Sequence, residues 1–484
     1  MASSDGSDSK SGPGKPNIVY VLPDQWRAQA FGYAGDPNVK TPNIDALAAR
    51  SLNFVNTVSV CPVCTPHRAS LLTGRYPTST GMFLNDLYLP SEELCMAEIF
   101  KGAGYETGYI GKWHLDGHGR DAYIPPERRQ GWDYWKVLEC THDYNESYYY
   151  AGDDPTKLKW EGYDAYPQTE DAKAYIRAHA GAEKPFLLFV GYGGPHFPHN
   201  NAPAELAALY PADGIELRCN VPEEMKTQAR QELQGYYAHC TAIDSCVGAL
   251  YQTLVESGEE ENTIFVFASD HGDMFGSQGK RPCRKQVPWD EAVRVPFLLH
   301  YPAIHDVGRT VQTPLNTPDI LPSLLALAGV AIPDTIEGED LSRLFRGDDG
   351  EQERAALFMS VSPFGEDDFK AYRGVRTARY SYVCDSDGPW LLYDNHADPY
   401  QMTNLVEDPE YAGQRAALEA ELRSQLTRNG DAFPTGEEAV AQWGYMVDER
   451  GNTPYRGEFR VQSPGSKHSD RNGPRSASCS CCSE

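Results

Sequence analysis

Residues 17–25 read NIVYVLPDQ, an apolar, β-branched run closed by Pro23 and followed at once by Asp24 and Gln25. A run of that length without polar alternation predicts a strand buried on both faces. The pattern recurs at ETGYIG (106–111), FLLFVGY (186–192), TIFVFAS (263–269) and VPFLLHY (295–301). Helical spacing lies between these runs. TPNIDALAARS (41–51) opens on Thr-Pro, residues 223–257 form a long amphipathic stretch, and DILPSLLALAG (319–329) stops on glycine. Alternating strands and helices predict an α/β fold with a mostly parallel central sheet sandwiched by helices.

Sheets of this kind hold their ligands beyond the carboxyl ends of the strands. The residues at those positions are Asp24 and Gln25, then Lys112 with His114, then His196 and His199 in GGPHFPH, then Asp270 and His271. One aspartate after a strand is ordinarily a turn or a helix cap, but two at equivalent strand ends are harder to read that way. Oxygen donors from Asp24, Gln25 and Asp270, with His271, suit a hard divalent cation, calcium, magnesium or manganese rather than zinc. The string CTPHRASLLTGRYP (64–77) starts a helix at Thr65-Pro66, which sets Cys64 at the positive helix end, where anions bind. CPVC (61–64) also reads as a redox or metal C-x-x-C pair, although no second pair lies at zinc-ribbon spacing.

A length of 484 residues fits two or three domains, or one large α/β domain with an appendage. The texture predicts a disordered start at 1–15, a catalytic α/β domain at 16–350, a small C-terminal α+β domain at 351–432 and an arm or tail at 433–484. Forty-three basic against 69 acidic side chains leave a net charge of −26. That balance argues against nucleic acid as a partner, because counterion release needs a basic surface. No apolar run is long enough for a membrane span. MASSDGSDSKSGPGKP has no apolar leader core, so the chain as written reads as cytoplasmic, or as periplasmic or secreted if a leader was removed. Twelve cysteines are too sparse for a disulfide scaffold. CSCC (479–482) lies in low-complexity sequence and reads as a disordered end.

Cys64-x-Pro66-x-Arg68 followed by ASLLTGR resembles the type I, formylglycine-dependent sulfatases of the alkaline phosphatase superfamily. GKWHL (111–115), PHFPH (195–199), SDHGDMFGSQG (269–279), KQVPWDEAVRVPF (285–297) and a C-terminal stretch from 372 onward resemble the same family. The resemblance implies that Cys64 is oxidised by a formylglycine-generating enzyme and that its hydrate is the nucleophile. It also implies one bound calcium held by Asp24, Gln25, Asp270, His271 and residue 64. Lys112 and Lys285 would contact the sulfate, His114 assist the formylglycine, His196 stand at the leaving oxygen and Arg68 hold the deprotonated hydroxyl. The substrate would be a sulfate monoester, with a sulfated carbohydrate favoured.

His67 stands where Ser or Ala is commoner in the family. Gln25 and His271 stand where many members carry Asp and Asn, and both variants also look like phosphonate and phosphate ester hydrolases of the superfamily. Phosphonate or phosphate ester hydrolysis is therefore the alternative, and an unmodified binding protein a third reading. The aromatic, polar stretch 115–165 predicts part of the pocket wall, with His118, Arg120, Arg128 and Arg129 as candidate contacts to the substrate beyond its sulfate.

Overall fold

A computed structural model of the chain describes residues 14–304, 308–348, 350–365 and 370–454. The four apolar runs form strands Asn17–Val21, Glu106–Lys112, Phe186–Gly191 and Thr263–Ala268. They lie side by side and parallel at the centre of a ten-stranded sheet. Phe186–Gly191 pairs with both Asn17–Val21 and Glu106–Lys112, and Thr263–Ala268 pairs with the other edge of Asn17–Val21. Phe297–His300 extends the sheet antiparallel, as the run at 295–301 foreshadows.

Period-2 geometry explains why these strands read as unbroken apolar runs. Ile18, Tyr20, Leu187 and Phe189 face one core, and Val19, Val21, Leu188 and Val190 face the other. Helix Lys226–Glu256 covers the second face, and helices Cys64–Thr73 and Thr317–Leu327 belong to the first. Among the described residues no helix is long and apolar enough to cross a membrane.

Beyond residue 355 a four-stranded antiparallel meander, Ala356–Ser360, Tyr372–Arg376, Tyr380–Asp385 and Gly388–Asp394, packs against helix Ala412–Arg428. Tyr372–Arg376 (YRGVR) escapes a hydrophobicity reading because Arg373 lies inside it. That arginine is fully buried on Asp431, with Nε to Oδ2 at 2.5 Å. Removing one member of such a pair strands a buried charge. Asp431→Ala is therefore expected to cost about 3–5 kcal/mol of stability, measured by denaturant unfolding.

After Asp431 the chain forms helix Gly436–Trp443 and then doubles back onto the large domain. Tyr445 donates its hydroxyl to the Gly81 carbonyl at 2.9 Å, and Thr453 donates to the Asn85 carbonyl at 2.6 Å. The expectations for residues 1–13 and for CSCC (479–482) lie outside the described residues.

Candidate active site

The central strands deliver their flanking residues to one point. Helix Cys64–Thr73, buried along its whole length, ends at Gly74 in the left-handed region, where an added Cβ would lie 2.9 Å from Ile336. Its first turn sets Cys64 Sγ 3.6 Å from Asp24 Oδ1, 3.2 Å from His271 Nε2 and 3.3 Å from Lys285 Nζ. Lys112 Nζ reaches Asp24 Oδ2 at 2.5 Å and Cys64 Sγ at 3.9 Å. That approach depends on Gly111, at φ +98°, where a Cβ would sit 2.1 Å from the Gly191 carbonyl oxygen. Arg68 lies 3.4 Å from Asp24 Oδ2 and 3.3 Å from Asp270 Oδ2.

Electrostatics separate Cys64 from the other buried thiols. Burial opposes its ionisation, but Lys112, Lys285 and His271 outweigh burial and hold the thiol well below its ordinary pKa. Cys61 has no such company, and burial pushes it up to about 12. The two cysteines of the C-x-x-C motif thus lie in opposite electrostatic surroundings, Cys64 among cations and Cys61 in the apolar core, which does not suit a matched redox or metal pair. His67, the residue uncommon in the motif, is buried against Ser59 and Thr317.

Asp24, Cys64, Asp270 and His271 offer donor atoms that all lie within 4.8 Å of one another. Both carboxylates are fully buried, and Asp270 Oδ2 accepts no hydrogen bond. Burial and the charge of Asp24 push the Asp270 carboxyl up. Two converging buried carboxylates, one with an oxygen that accepts no hydrogen bond and has only the Arg68 ion pair at 3.3 Å, form a donor set that fits a hard divalent cation. Gln25 stands beside this set. Its Nε2 donates to Asp273 Oδ2 at 2.5 Å, which turns Oε1 toward Lys285 Nζ at 3.4 Å.

His114 accompanies Cys64 from another side. Burial disfavours its charge, yet Cys140 and the Asp86 carboxylate hold its pKa up to about 10. Nε2 bonds Asp86 Oδ1 at 3.0 Å, and Nδ1 has no hydrogen-bond partner. His196 has the opposite character. Burial and Lys285 push it down to about 3, Nδ1 donates to the Phe197 carbonyl at 2.7 Å, and Nε2 accepts from Lys285 Nζ at 3.0 Å.

The ten residues expected around the nucleophile and cation thus converge. Of the outer candidates, Arg120 lines the cleft, a cavity of about 90 Å³, and grips Asp86 at 2.8 and 3.0 Å. His118 is not among the lining residues: it pairs with Asp116 at 3.3 Å and packs on Tyr88. Arg128 also pairs with Asp116, and Arg129 is buried on Asp153 and Trp135, so both are structural. His142, from the stretch 115–165 expected in the pocket wall, lines the cleft stacked on His196, and residues without a sequence signal complete it: Asp86, and Asn452 and Thr453 from the returning arm. Tyr144 steadies the PHFPH loop by donating to the His196 carbonyl at 2.8 Å.

Residues 16–330 match the family model described as Sulfatase, and residues 282–428 match that of the C-terminal region of N-sulphoglucosamine sulphohydrolase. An ulvan-active sulfatase of Formosa agariphila is 53% identical over 459 residues, which is 93% of this chain and 90% of that protein. An endo-4-O-sulfatase of Bacteroides thetaiotaomicron is 32% identical, covering 81% of this chain and 88% of that one. A solved structure concerned with glycosaminoglycan metabolism by the same bacterium superposes with a TM-score of 0.77 at 30% identity, over 88% of this chain and 99% of that chain.

Proposed function

The chain belongs to the sulfatase family of the alkaline phosphatase superfamily, and from that membership we propose that it removes sulfate from a sulfated polysaccharide of the ulvan kind, with Cys64 matured to formylglycine and calcium held between Asp24 and Asp270. The observation that carries this reading is the position of Cys64. It stands at a helix start, within 3.6 Å of Asp24, His271 and Lys285. The 53% identity to an ulvan-active enzyme supports the choice of polymer.

Formylglycine at residue 64 supplies a geminal diol, one hydroxyl to attack sulfur and the other to release sulfate afterwards. Calcium, which Asp24 and Asp270 would hold with Cys64 and His271 beside them, would supply positive charge for the sulfate. The remaining work falls to side chains. Lys112 and Lys285 place two ammonium groups beside residue 64, preorganised against the charge that develops on the sulfate. Arg68 and Lys112 keep Asp24 ionised. His114, held protonated by Cys140 and Asp86, faces residue 64 as a cation rather than a base in this resting state. His196 is neutral at rest with Nε2 3.0 Å from Lys285 Nζ, so the proton for the departing alcohol would pass through this pair as the alcohol leaves, with Lys285 regaining its proton from solvent before the next turnover.

The arm contributes to the cleft, since Asn452 and Thr453 line it together with His142 and His196. The test is parallel assay of purified enzyme on ulvan and on an aryl phosphonate monoester. Sulfate release is expected to exceed phosphonate hydrolysis in kcat/KM by more than about tenfold, about 1.4 kcal/mol. The reverse preference would overturn the sulfatase reading for this site.

A further inference from the structure

His199 ends the PHFPH loop but does not line the cleft at Cys64. It meets Glu232 from helix Lys226–Glu256 and Cys283 from the segment that leads to Lys285. One imidazole nitrogen, one carboxylate oxygen and the thiol sulfur lie within 4.8 Å of one another. None of the three belongs to the donor set of Asp24, Cys64, Asp270 and His271.

The polar contacts of the trio are largely internal. His199 is 3% exposed, its Nδ1 bonds Glu232 Oε2 at 2.7 Å, and its Nε2 has no hydrogen-bond partner among the described residues. Cys283 carries a free, half-buried thiol. Its backbone stands at φ +68°, uncommon for a residue with a side chain, and is held there by donation of its N–H to Asp273 Oδ1 at 3.0 Å. Burial and the Asp273 and Glu232 carboxylates push the thiol up, while Lys285 and Arg281 act in the opposite sense without outweighing them. A cation among these groups would relieve that negative potential, taking up the sulfur as thiolate and sending its proton to solvent.

Imidazole, thiolate and carboxylate together suit a borderline-soft divalent ion, zinc ahead of calcium or magnesium, whose shells are built from oxygen. Three protein ligands leave the fourth tetrahedral position to water. We propose that His199, Glu232 and Cys283 form a zinc site, separate from the catalytic cation, that ties the PHFPH loop and the segment before Lys285 to helix Lys226–Glu256. Those two segments carry His196 and Lys285, which meet at 3.0 Å beside the nucleophile, so the ion braces a pair that the chemistry uses. Binding involves neither substrate nor turnover, so the site holds or fails independently of activity on ulvan.

The test is titration of the full-length Cys64→Ala protein with cobalt(II), a spectroscopic stand-in for zinc, in excess calcium. The Cys64→Ala background removes the sulfur beside Asp24, and calcium competes for the two aspartates there. Cobalt is expected to give a sulfur-to-metal charge-transfer band that zinc abolishes by displacement and that Cys283→Ser lacks. Any cobalt held by the cysteine-rich sequence at 479–482 is common to all variants and cancels in the difference. Glu232→Gln, a change at a partly exposed side chain, is expected to weaken cobalt binding at least about tenfold, and it keeps the test decisive if Cys283→Ser fails to fold. The same charge-transfer band in Cys283→Ser as in its parent, or unchanged cobalt affinity in Glu232→Gln, would overturn the site.

Discussion

Cys64→Ala is expected to abolish sulfate release, lowering kcat by about 10⁴-fold or more, while the melting curve shows an intact fold. The side chain is small and sits at the start of a helix whose packing rests on Ala69, Leu71 and Leu72 and not on the thiol. What disappears is the one atom on which Lys112, Lys285 and His271 converge. Electrostatic preorganisation around an absent nucleophile has nothing to act on, so KM is expected to change far less than kcat. Retention of more than about one hundredth of wild-type activity, a loss at least about a hundredfold smaller than that predicted for a missing nucleophile, would shift the chemistry to another residue.

Asp24→Asn is expected to be nearly as damaging, because Asp24 has two duties. Burial and the Cys64 thiolate push its carboxyl up, but Lys112 and His271 outweigh them and hold it below the usual carboxylate range. Its charge thereby fixes Lys112 at 2.5 Å and supplies half of the carboxylate pair that suits a cation. An amide keeps the shape and loses both duties, at a cost of several kcal/mol, about 10²–10⁴-fold in kcat/KM. A second readout separates the duties. Added calcium is expected to raise the melting temperature of the wild type by mass action and to leave Asp24→Asn unmoved. A variant that calcium stabilises as strongly as the wild type would place the cation elsewhere.

Much of this architecture was readable before any coordinates, for a physical reason. Strands buried on both faces must be apolar throughout, so NIVYVL and TIFVFAS declare themselves, and a parallel sheet then dictates that Asp24 and Asp270 meet at its carboxyl edge. The parts that were not readable are those where polarity is satisfied by a distant partner. YRGVR hides a strand because Arg373 finds Asp431 from another element. Asp86 has no local motif, yet it sets the charge on His114 and anchors Arg120. His118 has the composition of a sugar contact but is claimed by Asp116.

The arm shows the same effect on a larger scale. Its Gly-, Asn- and charge-rich composition predicts an arm or tail without saying where it goes, and Tyr445 and Thr453 bring it back to the loop at Gly81 and Asn85 through single hydrogen bonds that no periodicity encodes. Residues 429–454 also lie beyond both matched family regions, so the cleft wall they supply is a feature of this chain outside those regions.

The most direct measurement is the mass of the tryptic peptide spanning residues 51–68, with fragment ions that separate Cys61 from Cys64, taken from enzyme whose turnover has just been recorded. A residue 64 about 18 Da lighter than cysteine, the difference between a thiol-bearing and an aldehyde-bearing side chain, is the predicted result. Unaltered cysteine at that position in fully active protein would contradict the account.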